Sequence, residues 1–144
     1  MQVRKNIRLK EYDYSQKGWY FITICTKDMK HCFGKLEDNV MILNDCGIKV
    51  QNIIENFNNT SDDIKNDYYQ IMPNHIHLII EIKDNANKSL SNIVSGLKGK
   101  CTKELKVKCL WQKGFYERVI RDEKEYNNIV KYINENPYRD KYQW

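Results

Sequence analysis

Two histidines one residue apart, His75 and His77, stand in the otherwise apolar stretch IMPNHIHLII at 71–80. In a β-strand, residues i and i+2 point to the same face, about 6.6–6.8 Å apart along the strand. The two imidazoles are therefore expected to project together, while Ile76 and Leu78 project the other way. Two same-facing imidazoles can share one divalent ion with only modest inclination of their side chains. A strand histidine is also often no more than a hydrogen-bonded polar residue, and the pair by itself leaves both readings open.

A metal would need a third ligand, and the last apolar-periodic segment offers one. With Tyr126 at the origin and a step of about 100° per residue, Ile129, Val130 and Ile133 cluster around the core direction. On the same wheel Tyr132 falls near 240° and Asn136 near 280°, at the flank of the apolar stripe. As i, i+4 neighbours, a phenol and a side-chain amide would emerge side by side. Pro137 disfavours helical geometry at the residue before it, so Asn136 is expected to close the helix. A helix-ending Asn-Pro and a half-buried tyrosine are the plain alternative.

The elements that must bring these groups together can be read from periodicity and turn chemistry. GWYFITICTK (18–27) is β-branched and aromatic, hence a strand, and HCFGKLEDNVMIL reads as a short hairpin turning at 37–39. His31, beside Cys32 in that early strand, reads as structural or surface. Asn44 can cap a helix carrying Ile48, Ile53, Ile54 and Phe57 on its apolar face, with NNTSDD closing it. DYYQIM and HIHLIIEI read as strands separated by Pro73-Asn74. Ser89 or Ser91 then opens a helix with Leu90, Ile93, Val94 and Leu97 at i, i+3, i+4 and i+7. FYERVIR is a strand, and Asp122 with Glu125 forms a capping box for the helix that buries Tyr126, Ile129, Val130 and Ile133. The order β-β-β-α-β-β-α-β-α predicts an α+β fold with helices on an antiparallel sheet. The lack of a Gly-rich phosphate loop and of sustained βα alternation argues against a doubly wound nucleotide-binding fold.

With 144 residues the chain holds one domain, 1–144, with a basic N-terminal arm over about 1–17. No apolar run approaches a membrane span, and no apolar stretch follows the basic start as a secretory signal requires. Five cysteines without a CxxC pair predict reduced thiols in the cytoplasm rather than disulfides or a Cys-based zinc site. The net charge of +5 is moderate. Its placement is more informative: Arg4, Lys5, Arg8 and Lys10 crowd the N-terminus, and Lys98, Lys100, Lys103, Lys106 and Lys108 fall close together. Solvated faces and a footprint for a phosphate backbone both fit such clusters.

Several ordered segments resemble the single-tyrosine HUH transposases, closest to the REP-associated tyrosine transposase branch. They are RLKEYDYSQKGWYFITICTKDMKHCFG, MPNHIHLII, SLSNIVSGLKGKCTKEL, WQKGFYERVIRDEKEY and YINENP. The ordered set spans nearly the whole chain, and its specific core is the His-hydrophobic-His strand followed by Tyr-Ile-x-x-Asn-Pro. The resemblance implies a ferredoxin-like domain with the histidine strand central and helices packed on the sheet. It also implies metal-dependent nicking and joining of single-stranded DNA carrying a hairpin or repeat. The protein would work as a monomer or homodimer and have no membrane association.

Carried onto this sequence, the resemblance makes His75 and His77 ligands of Mg²⁺ or Mn²⁺, Asn136 the third ligand and Tyr132 the nucleophile that forms a 5′-phosphotyrosine. Arg4, Lys5, Arg8, Lys98, Lys100, Lys103, Arg118 and Arg121 become candidate DNA contacts. Tyr12, Tyr14 and Trp19 are candidates for stacking on bases. One position departs from the pattern. Family members commonly carry an acidic residue followed by histidine in the strand before the last helix, where this chain has Glu117-Arg118. A guanidinium cannot serve as a neutral ligand or proton shuttle, although it can contact phosphate. That departure motivates the alternative of a domesticated single-strand nucleic-acid-binding protein without cleavage. A histidine-triad hydrolase is excluded, because its third histidine would fall where Ile79 stands.

Overall fold

Alternating side chains on four strands, and apolar stripes on three helices, divide this chain between two cores. The structure is a computed structural model, and it describes residues 18–57, 62–83 and 89–135. In chain order the elements are β1 (Gly18–Cys25), β2 (Gly34–Glu37), β3 (Val40–Leu43), α1 (Asp45–Phe57), β4 (Ile64–Met72), β5 (His75–Ile82), α2 (Leu90–Leu105), β6 (Tyr116–Ile120) and α3 (Glu123–Glu135). A single 3₁₀ turn, Lys27–Met29, follows β1. The order is the one read from periodicity. The main sheet runs β4-β5-β1-β6 and its neighbours are all antiparallel, while β2 and β3 form a separate two-stranded ribbon. Without that ribbon and α3, the path β1-α1-β4-β5-α2-β6 is the ferredoxin-like arrangement, and β5, the histidine strand, lies inside the sheet as expected.

One face of the sheet is covered by α1 and α2. Tyr20, Ile22 and Ile24 of β1, Ile76, Leu78, Ile80 and Ile82 of β5, and Val119 of β6 meet Val50, Ile53 and Ile54 of α1 and Leu90, Ile93, Val94 and Leu97 of α2. Fully burying one such branched aliphatic side chain stabilises the fold by about 1.5–3 kcal/mol, so this face holds most of the hydrophobic stabilisation. The opposite face carries a smaller cluster, Phe21, Ile79 and Ile120, under Ile129 and Ile133 of α3. Tyr126 and Val130, expected on that helix's apolar stripe, are half-buried at its edge.

The helix starts follow their sequence signals. Asn44 Oδ1 accepts from Gly47 N at 2.8 Å, and Ser89 caps α2 by accepting from Asn92 N at 3.2 Å. The apolar face of α1 corrects the sequence reading. Ile48 is 46% exposed, and the buried face is Gly47, Val50, Ile53 and Ile54. The cause is Gly47, where an added Cβ would lie 2.2 Å from the Phe33 carbonyl oxygen. The helix touches the chain through bare backbone there, which turns Ile48 outward. The early strand also starts later than expected, at Gly34, so exposed His31 and half-buried Cys32 precede it.

At the start of α3, Asp122 Oδ1 accepts from Glu125 N at 2.7 Å, as a capping box requires. The reciprocal half differs. Glu125 Oε1 accepts from Arg121 N at 2.8 Å, and its Oε2 takes a 2.7 Å ion pair from Arg118 Nη2. Two further side-chain contacts pin α3 to β4, Tyr68 to Asn134 and Tyr126 to Asp67. Among the described residues no helix is long and apolar enough to cross a membrane.

Candidate active site

His75 and His77 sit on the α3 face of β5, four and two residues ahead of Ile79. Both are almost fully buried, at 2% and 5% exposure, with ring centroids 4.8 Å apart in an edge-on arrangement. Burial lowers the His75 imidazole to about 3, and burial together with the neighbouring His75 ring pushes His77 well below the usual histidine range. Both rings are therefore neutral at physiological pH, the form that ligates metals. His75 Nδ1 lies 2.7 Å from Asn74 Oδ1, and His77 Nδ1 lies 2.9 Å from Thr23 Oγ1, so the Nδ1 atom of each ring is engaged by a buried polar neighbour.

Two neutral, oriented imidazoles fit a divalent ion, though they do not complete its shell. Among the described residues no group of three or more His, Cys, Asp or Glu side chains is gathered to hold a metal ion. The expected third ligand, Asn136, lies outside the described residues.

Tyr132 is half-buried and packs against the Phe21, Ile79, Ile120, Ile129 and Ile133 cluster. Phe21 links this cluster to the histidines, since its ring centroid lies 5.4 Å from that of His77. Tyr132 and both imidazoles thus share one side of one sheet, within a single chain. In the row that crosses His77, Gln70 of β4, Thr23 of β1 and Tyr116 of β6 stand in register.

The predicted DNA contacts divide into groups. Arg4, Lys5 and Arg8, like Tyr12 and Tyr14, lie outside the described residues. Lys100, Lys103 and Arg121 are exposed. Lys98 is half-buried, and its ammonium donates to the carbonyls of Gln112 at 2.9 Å and Gly114 at 2.6 Å, fixing the loop before β6. Arg118 is held by Glu125. Trp19 is 40% exposed, with its ring edge-on to Tyr126. Sequence reasoning passed over Asn74 and Thr23, the partners of the two histidines. The register of β1 against β5, which places Thr23 opposite His77, is not written in either strand's own pattern.

The chain matches the family model described as "Transposase IS200 like" over residues 16–136. An uncharacterised protein of Haemophilus influenzae is 35% identical over 158 aligned residues, covering 93% of this chain and 88% of that one. A protein of the same bacterium, named as a candidate REP-associated tyrosine transposase, is 31% identical over 86 residues, half of this chain and 48% of the relative. Among solved structures, a REP-associated tyrosine transposase bound to a REP hairpin superposes with a TM-score of 0.69 at 20% identity, over 92% of this chain and 73% of that one. A candidate transposase from Deinococcus radiodurans R1 superposes with a TM-score of 0.56 at 16% identity, over 90% and 96%. At those identities the two superpositions speak for the fold.

Proposed function

The chain belongs to the IS200-like transposase family, and from that premise we propose that it cuts and rejoins single-stranded DNA through Tyr132. The reading is carried by one observation: the paired, buried, neutral imidazoles of His75 and His77 lie on the sheet face that receives the tyrosine helix. His75, His77 and Asn136 would hold a divalent ion, Mg²⁺ or Mn²⁺, which when bound draws charge from the scissile phosphate and favours its attack.

A phenol titrates near 10 and is a weak nucleophile at neutral pH, so Tyr132 depends on that polarisation and on its own placement. Its oxygen attacks phosphorus and loses its proton. The bond from phosphorus to the 3′ oxygen breaks, and that oxygen leaves as a protonated 3′-OH. The 5′-phosphate stays on Tyr132 as a phosphodiester, so a second 3′-OH can reverse the step and join strands without an external energy source. Tyr132 packs on its own chain's sheet, which suits catalysis within one subunit. The structural neighbour bound to a REP hairpin supports a hairpin-bearing single strand as substrate, with Lys100, Lys103 and the basic N-terminal arm along its backbone.

The test is incubation with single-stranded oligonucleotides drawn from repeats flanking the gene, with Mn²⁺ or Mg²⁺. A covalent protein–DNA adduct is expected, metal-dependent and lost in Tyr132→Phe. An adduct that persists in that variant overturns the tyrosine assignment. Salt-sensitive binding without an adduct on any repeat substrate supports the non-cleaving alternative, which Arg118 at the usual histidine position favours.

A further inference from the structure

Asn74, in the turn between β4 and β5, is gripped from several directions. Its backbone carbonyl accepts from Thr26 N at 3.0 Å and shares the Thr26 hydroxyl, at 3.1 Å, with the Lys30 carbonyl at 2.7 Å. Its side-chain nitrogen reaches the Met29 carbonyl at 3.5 Å, which turns the amide oxygen toward His75. Asp28 and Met29 both adopt left-handed backbone, with φ of 57° and 54°, a conformation that non-glycine residues enter at a cost. That strained turn aims the Met29 carbonyl at Asn74. The residue itself is 3% exposed. An amide oxygen only accepts, so at 2.7 Å from Asn74 Oδ1 the His75 Nδ1 carries the hydrogen and Nε2 the lone pair. The Thr23 hydroxyl, buried at 1% exposure between β1 and β5, engages His77 Nδ1 at 2.9 Å; a hydroxyl can accept or donate, so this contact orients the ring through Nδ1 without by itself choosing the tautomer.

We propose that Asn74 and Thr23 are positioning residues that engage the Nδ1 atoms of His75 and His77, Asn74 fixing His75 as the Nδ1–H tautomer and Thr23 accepting from His77, so that both Nε2 atoms are presented as the metal ligands. The inference rests on the metal reading above and adds the atoms that bind and the residues that select them. A hydrogen bond to the outer nitrogen of a ligating histidine sets ring orientation and basicity, and its loss typically lowers metal affinity by about 10–100-fold. In many metal sites that partner is a carboxylate. Here a neutral amide and a hydroxyl take its place, so a charged partner at Asn74 is expected to strengthen binding.

Two readouts test this apart from catalysis. Nitrogen-15 spectra of the metal-free protein at neutral pH are expected to show both histidines protonated at Nδ1. Titration with Mn²⁺ alone is expected to show affinity falling about tenfold or more in Asn74→Ala and in Thr23→Val. Thr23→Ser is expected to restore it, and Asn74→Asp to bind at least as tightly as the parent. Unchanged thermal midpoints in Thr23→Val and Thr23→Ser establish that the folded sites are being compared. Nε2–H tautomers in the parent, or folded variants that bind Mn²⁺ as the parent does, overturn the proposal. Failure of the parent itself to bind Mn²⁺ overturns the metal reading instead and removes the basis of this one.

Discussion

Two imidazoles kept neutral by burial make the protein acid-sensitive in a defined window. In the unfolded chain each histidine titrates near 6.5, whereas the folded His75 holds off its proton to about 3 and His77 is likewise held well below its ordinary value. Between those limits the unfolded state binds more protons, so stability is complete above about pH 6.5 and falls as the pH drops toward 3. The slope approaches about 1.4 kcal/mol per pH unit for each ring. Urea titrations between about pH 6.5 and 5, above the usual carboxylate range, isolate this effect. Replacing both histidines with glutamine should flatten the slope there. Mn²⁺ affinity of the folded parent should stay level over the same interval, because protons compete for neither ring until much lower pH. The pair was legible in the sequence because period two is a strong signal. Its partners were not, because a threonine inside GWYFITIC looks like any β-branched strand residue until β1 is laid against β5.

At the scale of elements, the helices were readable where side chains mark the buried face and misread where a hydrogen atom does. Leu90, Ile93, Val94 and Leu97 announce the face of α2, and all four are buried. On α1 the closest approach is made by Gly47, which adds nothing to a hydrophobic pattern. Gly47→Ala should therefore cost on the order of 2 kcal/mol or more, through displacement of α1 from the Phe33 carbonyl, and thermal unfolding would report it. A cost within a few tenths would show that the helix shifts freely. The last helix, α3, has a smaller core beneath it than α1 and α2 and relies on polar pins. Glu125 serves three of them, receiving the Arg121 N–H and the Arg118 guanidinium while its own N–H meets Asp122. Glu125→Ala should destabilise the protein by about 1 kcal/mol, since the ion pair is only partly screened. Amide exchange should quicken in α3 before it does in β5. Uniform exchange across both elements would mean the pins contribute nothing local.

For the molecule as a whole, basic residues that look alike in sequence fall into different roles. Lys98 is tied to two carbonyls, whereas Lys100 and Lys103 point to solvent. Lys98→Met should lower the thermal midpoint by leaving two half-buried carbonyls without their donor. The double variant Lys100→Gln, Lys103→Gln should keep its stability yet bind single-stranded DNA more weakly, with a shallower dependence on salt. Equal salt slopes in parent and double variant would remove these lysines from the DNA path. A ferredoxin-like sheet with the histidine strand central was expected from the resemblance alone, because the order β4-β5-β1-β6, with β1 between β5 and β6, leaves no mark on local periodicity. The two-sided sheet also limits how such a chain can change in length. In β5 the odd positions face α3 and carry the histidine pair, and the even positions enter the larger core, so parity decides which face each side chain serves. Loops can lengthen by any number of residues. A single residue gained or lost inside β5 would send the histidines into the α1 and α2 core and isoleucines to the α3 face, so only paired changes could pass without destroying both faces together.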